Sequence, residues 1–312
     1  MRSKDKTYRA IHSALGTPHS ALRTCTVTLA EAIQKAAESL SAQDIPNAQL
    51  DAELLLRHTL GKDRAWLLVH MQDGLDDQRQ RSFELNIERR KLREPLQYIT
   101  GAQEFWGIPF MVTPDVLIPR PETEFAVESA LKAISGINTP VIVDLCTGSG
   151  CIAISLAKEL PKARVFATDL SDRAMLIARE NARRNEVADH IRFLEGDLFG
   201  PLEEMDIRGG IDCVVTNPPY VRSGDLATLQ AEVRDFEPPM ALVAGRSGTE
   251  IAERIIDQSP DYLRPGGSLI MEMGIGQTAA LRKIIEDTHK FGPVGIVKDL
   301  AGIERVIVVR KT

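Results

Sequence analysis

Val141-Ile142-Val143-Asp144-Leu145-Cys146-Thr147-Gly148-Ser149-Gly150, running straight into Cys151-Ile152-Ala153-Ile154, is the stretch on which the fold turns. Its β-branched opening predicts a buried strand over Val141 to Leu145, and the apolar run from Cys151 to Leu160 predicts a helix. Between them Gly148 and Gly150 let the backbone turn sharply and approach a ligand closely. Outward from this unit, further strands are predicted at Arg164 to Thr168, Ile191 to Glu195, Cys213 to Thr216, Ser268 to Met273, Gly295 to Lys298 and Val306 to Arg310. Helices are predicted at Thr123 to Ile134, Asp172 to Asn185, Gly248 to Leu263 and Gln277 to His289. Strands alternating with helices imply an α/β fold with a doubly wound, mainly parallel sheet, in which ligands bind beyond the carboxyl ends of the strands.

The first hundred residues follow a different period. Leu29, Ile33, Ala36 and Leu40 share one helical face, and Thr28 with Glu31 forms a capping box. Three more helices are predicted: one from Pro46 to the stop at Gly61, a short one around Trp66-Leu67-Leu68, and one from Asp77 to Leu92. Beyond Pro95, the runs Glu104-Phe105-Trp106 and Ile108 to Val112, divided by Gly107, predict a hairpin. The expected organisation is a tail over 1–26, a helical domain over 27–93, a linker with a hairpin over 94–121, and the α/β domain over 122–312.

Composition narrows the partners. The chain has 312 residues, 43% of them hydrophobic, and a formal net charge of -6. Such a balance argues against a broad phosphate-gripping surface, so stable binding to nucleic acid is not expected. No apolar run is long enough for a membrane helix and no secretory h-region is present, so a cytoplasmic protein without membrane attachment is expected. The cysteines, Cys25, Cys146, Cys151 and Cys213, lack paired spacing, and the six histidines are scattered. Buried reduced thiols and no metal site are the expectation.

Chemistry concentrates where the predicted strands end. After the first strand the order is an acidic residue and then Gly148-Ser149-Gly150, without the third glycine of a dinucleotide fingerprint. The next strand ends in Asp169, placed to accept hydrogen bonds from two ribose hydroxyls; Ser171 and Asp172 already supply the helix cap there. The third ends in Gly196-Asp197-Leu198-Phe199, where a carboxylate could take the amine of an adenine and Leu198 or Phe199 its face. The fourth ends in Asn217-Pro218-Pro219-Tyr220. Two prolines stiffen that turn and remove donors, so the Pro218 carbonyl and the Asn217 side-chain oxygen are two fixed acceptors. Together they suit the two protons of a planar NH2 group, with Tyr220 packed on its flat face.

The set Asp144 to Gly150, Asp169, Asp197 and Asn217 to Tyr220 resembles the class I S-adenosylmethionine-dependent methyltransferases that act on amide or exocyclic amino nitrogens. Three further segments, Arg93 to Ile99, Val116 to Glu124 and Glu232 to Pro238, are similar to the peptide chain release factor glutamine methyltransferase family, HemK or PrmC. The resemblance implies a Rossmann-like sheet with an antiparallel C-terminal strand, S-adenosylmethionine as methyl donor, and the glutamine of the Gly-Gly-Gln motif in class 1 release factors as acceptor. It implies cofactor contacts from Cys146, Thr147, Gly148, Ser149, Gly150, Asp169, Asp197, Leu198 and Asn217, substrate contacts from Asn217, Pro218, Pro219 and Tyr220, and catalytic roles for Asn217, Pro218 and Tyr220. Cys146 stands where that family usually has glycine, a feature shared with the sister family acting on ribosomal protein L3. The alternatives are that L3 glutamine, an adenine amino group of nucleic acid, and cofactor binding without catalysis.

Overall fold

The structure, a computed structural model, describes residues 27–312, so Cys25 and the expected tail lie outside the described residues. The chain divides into two compact units, one ending at Ile87 and one beginning at Glu88. The smaller unit opens with α1 (Leu29–Ser41), where Thr28 Oγ1 accepts from the Glu31 amide at 3.2 Å and Glu31 accepts from the Thr28 amide at 2.9 Å. Then come α2 (Ala48–Leu60), α3 (Arg64–Val69) and α4 (Asp77–Lys91), whose last residues lie past the division. Leu29, Ile33, Leu40, Leu55, Leu56 and Leu67 are buried, as the 3.6-residue period requires.

The larger unit continues with α5 (Leu96–Thr100) and the hairpin β1 (Ala102–Phe105) and β2 (Ile108–Met111). The short helix was not expected: five residues closed by Gly101 are too few to show a period. There follow α6 (Glu124–Ala133), β3 (Val141–Leu145), α7 (Cys151–Glu159), β4 (Arg164–Asp169), α8 (Asp172–Arg184), β5 (Ile191–Glu195) and β6 (Ile211–Thr216). After β6 comes an irregular stretch with β7 (Val221–Arg222), α9 (Ala231–Phe236), α10 (Pro239–Leu242) and β8 (Val243–Gly245). The chain closes with α11 (Glu250–Tyr262), β9 (Leu263–Glu272), α12 (Thr278–Thr288), β10 (Gly295–Lys298) and β11 (Glu304–Arg310). The expected start of β9 at Ser268 is corrected to Leu263, because the Pro265-Gly266-Gly267 interruption is absorbed by a register shift against β6.

The main sheet has the order β10-β11-β9-β6-β3-β4-β5. Its five central and edge strands β9, β6, β3, β4 and β5 are parallel, and β11 is antiparallel to both β9 and β10. Both faces are covered. Ile142, Val165, Cys213 and Ile270 pack under α6, α7 and α8, whereas Val143, Phe166, Val214 and Leu269 pack under α11 and α12. Neighbours in sequence thus go to opposite layers, as the two-residue repeat of a strand demands. The chain moves from β3 outward to β5 and returns beside β3 as β6, so the strand order reverses there. Register places the strand ends in line, with Leu145 opposite both Thr168 and Thr216, and Thr216 opposite Met271. Cys146, Asp169, Asn217 and Glu272 are therefore the next residues in one row along the carboxyl edge.

Candidate active site

A cavity of about 370 Å³ opens at this edge, with Cys146, Gly148, Asp169, Leu170, Leu198 and Asn217 among its walls. Asp197, Pro219 and Met240 line it as well. Of the residues expected at the site, Thr147, Ser149, Gly150, Pro218 and Tyr220 are not among those lining this cavity, and Pro218 and Tyr220 follow its lining residue Asn217 in the chain. The first three build the turn behind it. Thr147 donates to Asp144 Oδ2 at 2.6 Å, the Ser149 carbonyl accepts from Asn181, and Gly150 begins α7 at φ +83. Asp144 is wholly buried; its Oδ2 also accepts from the Ala153 amide at 3.1 Å, while Oδ1 has no hydrogen-bond partner. Burial, only partly offset by those donors, pushes its carboxyl up to about 7.

Asp169 stands at the end of β4 on the cavity wall. Gly148 N–H donates to its Oδ2 at 2.8 Å and Ser171 N–H to its Oδ1 at 2.9 Å, so each oxygen keeps acceptor capacity toward the cavity. Burial raises its pKa, opposed by these amides. The helix cap comes from Ser171, which accepts from Ala174. Asp197 already holds Arg254, whose Nη2 donates to Oδ2 at 2.5 Å, and its carboxylate keeps acceptor capacity for a further donor. Cys146 sits at φ +57 in the left-handed region that glycine occupies without cost, and its thiol is pushed up by burial and by Asp169.

Asn217 leads to residues that motif reading missed. Its Nδ2 donates to Thr123 Oγ1 at 3.1 Å, and Thr123 in turn donates to Glu272 Oε2 at 2.6 Å. Burial pushes the Glu272 carboxyl up to about 7 and the Tyr220 hydroxyl up to about 12. The backbone of Tyr220 is pinned by Gln277, whose Nε2 donates to the Tyr220 carbonyl at 2.9 Å and to that of Gly248 at 3.0 Å. Nearby, Arg120 Nη2 donates to Glu237 Oε1 at 2.5 Å and ties the Val116 to Glu124 segment to the Glu232 to Pro238 segment. One signal for Glu272 was in the sequence: it is the sole charge in Leu269-Ile270-Met271-Glu272-Met273, at the end of a predicted strand. Among the described residues, no group of His, Cys, Asp and Glu forms a metal site, and no helix is long and apolar enough to cross a membrane.

The sheet reverses its strand order at β3 and carries a glycine turn, Asp169 and Asn217-Pro218-Pro219-Tyr220 along one edge, and the proteins it resembles make it a methyltransferase. Residues 124–234 match the methyltransferase small domain, and residues 31–101 match the PrmC N-terminal domain. The fold is shared with the catalytic domain of hMettl16 at a TM-score of 0.54 and 20% identity, covering 71% of this chain and 81% of that one. The release factor glutamine methyltransferase of Koribacter versatilis is 41% identical over 285 residues, covering 91% of this chain and 99% of that protein. That of Geobacter sulfurreducens is 40% identical over 268 residues, covering 86% and 91%. The chain belongs to the release factor glutamine methyltransferase family.

Proposed function

We propose that this enzyme transfers a methyl group from S-adenosylmethionine to the side-chain amide nitrogen of the glutamine in the Gly-Gly-Gln motif of a class 1 release factor. The observation that carries the reading is the orientation of Asn217. Its NH2 is engaged by the buried Thr123 hydroxyl, so Oδ1 is the atom left for an acceptor amide. The family membership and the names of the relatives support a glutamine amide as that acceptor.

The cavity suits the donor. Asp169 offers two oxygens for ribose hydroxyls, Leu170 and Leu198 offer apolar surface for a base, and Gly148 brings backbone close without a side chain in the way. S-adenosylmethionine supplies, when bound, a methyl group made electrophilic by its sulfonium. What remains for the protein is positioning, since an amide nitrogen is a poor nucleophile whose lone pair is delocalised into its carbonyl. Asn217 Oδ1 and the Pro218 carbonyl would each accept a hydrogen bond from one amide N–H, turning the nitrogen toward the methyl group; transfer would leave S-adenosylhomocysteine, and the methylated nitrogen would release one of its two protons to solvent. Acceptors fixed in advance stabilise the positive charge that develops on nitrogen. Residues 27–93 are assigned to recognition of the protein partner, because one glutamine side chain presents far less than the roughly 800 Å² per partner of a specific interface.

The deciding experiment is incubation with labelled S-adenosylmethionine and three acceptors: a class 1 release factor, ribosomal protein L3 and DNA. Label on the release factor, lost when its Gly-Gly-Gln glutamine is changed to alanine, is the expected result. Label on L3 or DNA alone would overturn the reading.

A further inference from the structure

We infer that Thr123 and Glu272 are positioning residues that fix which way round the Asn217 amide sits, and so switch the site between a form that accepts from an NH2 substrate and one that repels it. The inference rests on the proposed use of Asn217 Oδ1 as an acceptor.

Thr123 closes a 3-10 turn (Pro121–Thr123) that runs into α6 with helical backbone angles, φ -67 and ψ -19, so its hydroxyl is free of the usual bond of a threonine helix cap to the first-turn amides. The hydroxyl instead lies between Glu272 and Asn217, and both Thr123 and Glu272 are buried, at 1% and 3% exposure. A hydroxyl has one proton. While Glu272 is a carboxylate it accepts only, so the Thr123 proton is committed to it and Thr123 can only accept from Asn217. That fixes Nδ2 toward Thr123 and Oδ1 away from it. Once Glu272 is protonated on Oε2, the oxygen facing Thr123, it donates to Thr123 Oγ1, and the Thr123 proton turns to Asn217. The amide then rotates, presenting Oδ1 to Thr123 and Nδ2 to the substrate, where donor meets donor.

Glu272 faces Glu122, Arg120, Arg305, Tyr220 and Cys151 besides Thr123. Burial is the largest influence and raises its pKa; Thr123, Arg305 and Arg120 oppose it, Glu122 adds to it, and the result is about 7. Since the deprotonated form is the competent one, turnover should rise with pH through that midpoint.

The test compares wild type with Thr123→Val, Thr123→Ser and Glu272→Gln in the full chain, measuring kcat, KM and cofactor affinity against pH. Expected are a kcat for T123V lower by about ten- to a hundredfold with cofactor affinity within about threefold of wild type, and near-complete rescue in T123S. Both T123V and E272Q should lose the acid limb near neutrality. A limb that persists in E272Q, which would place it on Asp144 or another group, overturns the inference, as does wild-type kcat in T123V. Where a variant folds poorly or no acceptor is labelled, the side-chain 15N resonance of Asn217, assigned through Asn217→Asp, gives the answer in the unreacted wild-type enzyme. It should shift between two forms as Glu272 titrates, and an invariant resonance overturns the relay. Labelling of L3 in place of the release factor would refute the acceptor assignment while leaving the same variant comparison to judge the relay.

Discussion

Replacing Gly150 by alanine isolates the strain in the turn on which the fold depends. At φ +83 a side chain is already disfavoured, and an added Cβ would lie 2.9 Å from Ile154 Cδ1, 3.2 Å from Ala178 Cβ and 3.4 Å from Ala178 Cα. The Ile154 methyl can rotate away. Ala178 cannot, because it is wholly buried within α8 and its backbone is part of the contact. Left-handed strain of about 1–2 kcal/mol and overpacking of about 1–3 kcal/mol together predict a loss of about 2–5 kcal/mol. Gly148, two residues earlier at φ +56, is the matched control: a Cβ there meets nothing within 4 Å, so Gly148→Ala should cost only the strain. Trp106 belongs to the larger unit and Trp66 to the smaller, so urea unfolding followed by fluorescence in a Trp66→Phe background reports the larger unit alone. With an m-value of about 3 kcal/mol per molar, G150A should lower the midpoint by about 0.7–1.7 M, and G148A by about 0.3–0.7 M. Equal shifts in the two variants, or none in G150A, would refute the close packing of this turn on α8.

Asn217→Ala should cut turnover by about a hundredfold or more with cofactor affinity within about threefold, measured by methyl transfer and calorimetry; unchanged turnover would remove Asn217 from the reaction. Arg120→Met would strand Glu237, which is 3% exposed and has no partner for Oε2, and should destabilise the larger unit by about 3 kcal/mol at neutral pH. Burial already raises the Glu237 pKa, and without the guanidinium it would rise further. The deficit is therefore full only above the raised folded-state pKa of the variant and shrinks as pH falls through it toward the ordinary carboxylate range near about 4, which denaturant midpoints across pH would show. In the smaller unit Leu68 and Val69 are 62% and 80% exposed. If this unit recognises the protein partner, Leu68→Asp with Val69→Asp should raise KM for an intact release factor by about tenfold and leave kcat on a short Gly-Gly-Gln peptide unchanged. A uniform effect on both acceptors would assign the pair to folding instead.

Much of this fold is local in origin, and that part was open to a sequence reading. Val141 to Leu145, Ile191 to Glu195 and Gly295 to Lys298 are strands with the expected ends, and the Thr28 capping box forms as its spacing requires. Where the pattern gives no period, expectation stops. Residues 221–249 carry β7, β8, α9 and α10, none longer than six residues, too short for a repeat to show. Their order is set by long-range contacts such as Arg90 and Arg93 with Glu232, separated by 142 and 139 residues.

The site divides along the same line, and the division has a physical cause. Groups that would meet a ligand sit next to turns, and turns have their own sequence chemistry: glycines at 148 and 150, prolines at 218 and 219. Groups that hold those in place come from elsewhere in the chain. Thr123 reaches Asn217 across 94 residues and Glu272 across 149, so no motif window contains the three. Only the parallel register, which puts Asn217 and Glu272 after paired Thr216 and Met271, makes them neighbours. A tetrapeptide can therefore name two acceptors without saying which atom of Asn217 faces the substrate. That choice belongs to one buried proton on Thr123, and hence to the charge on Glu272.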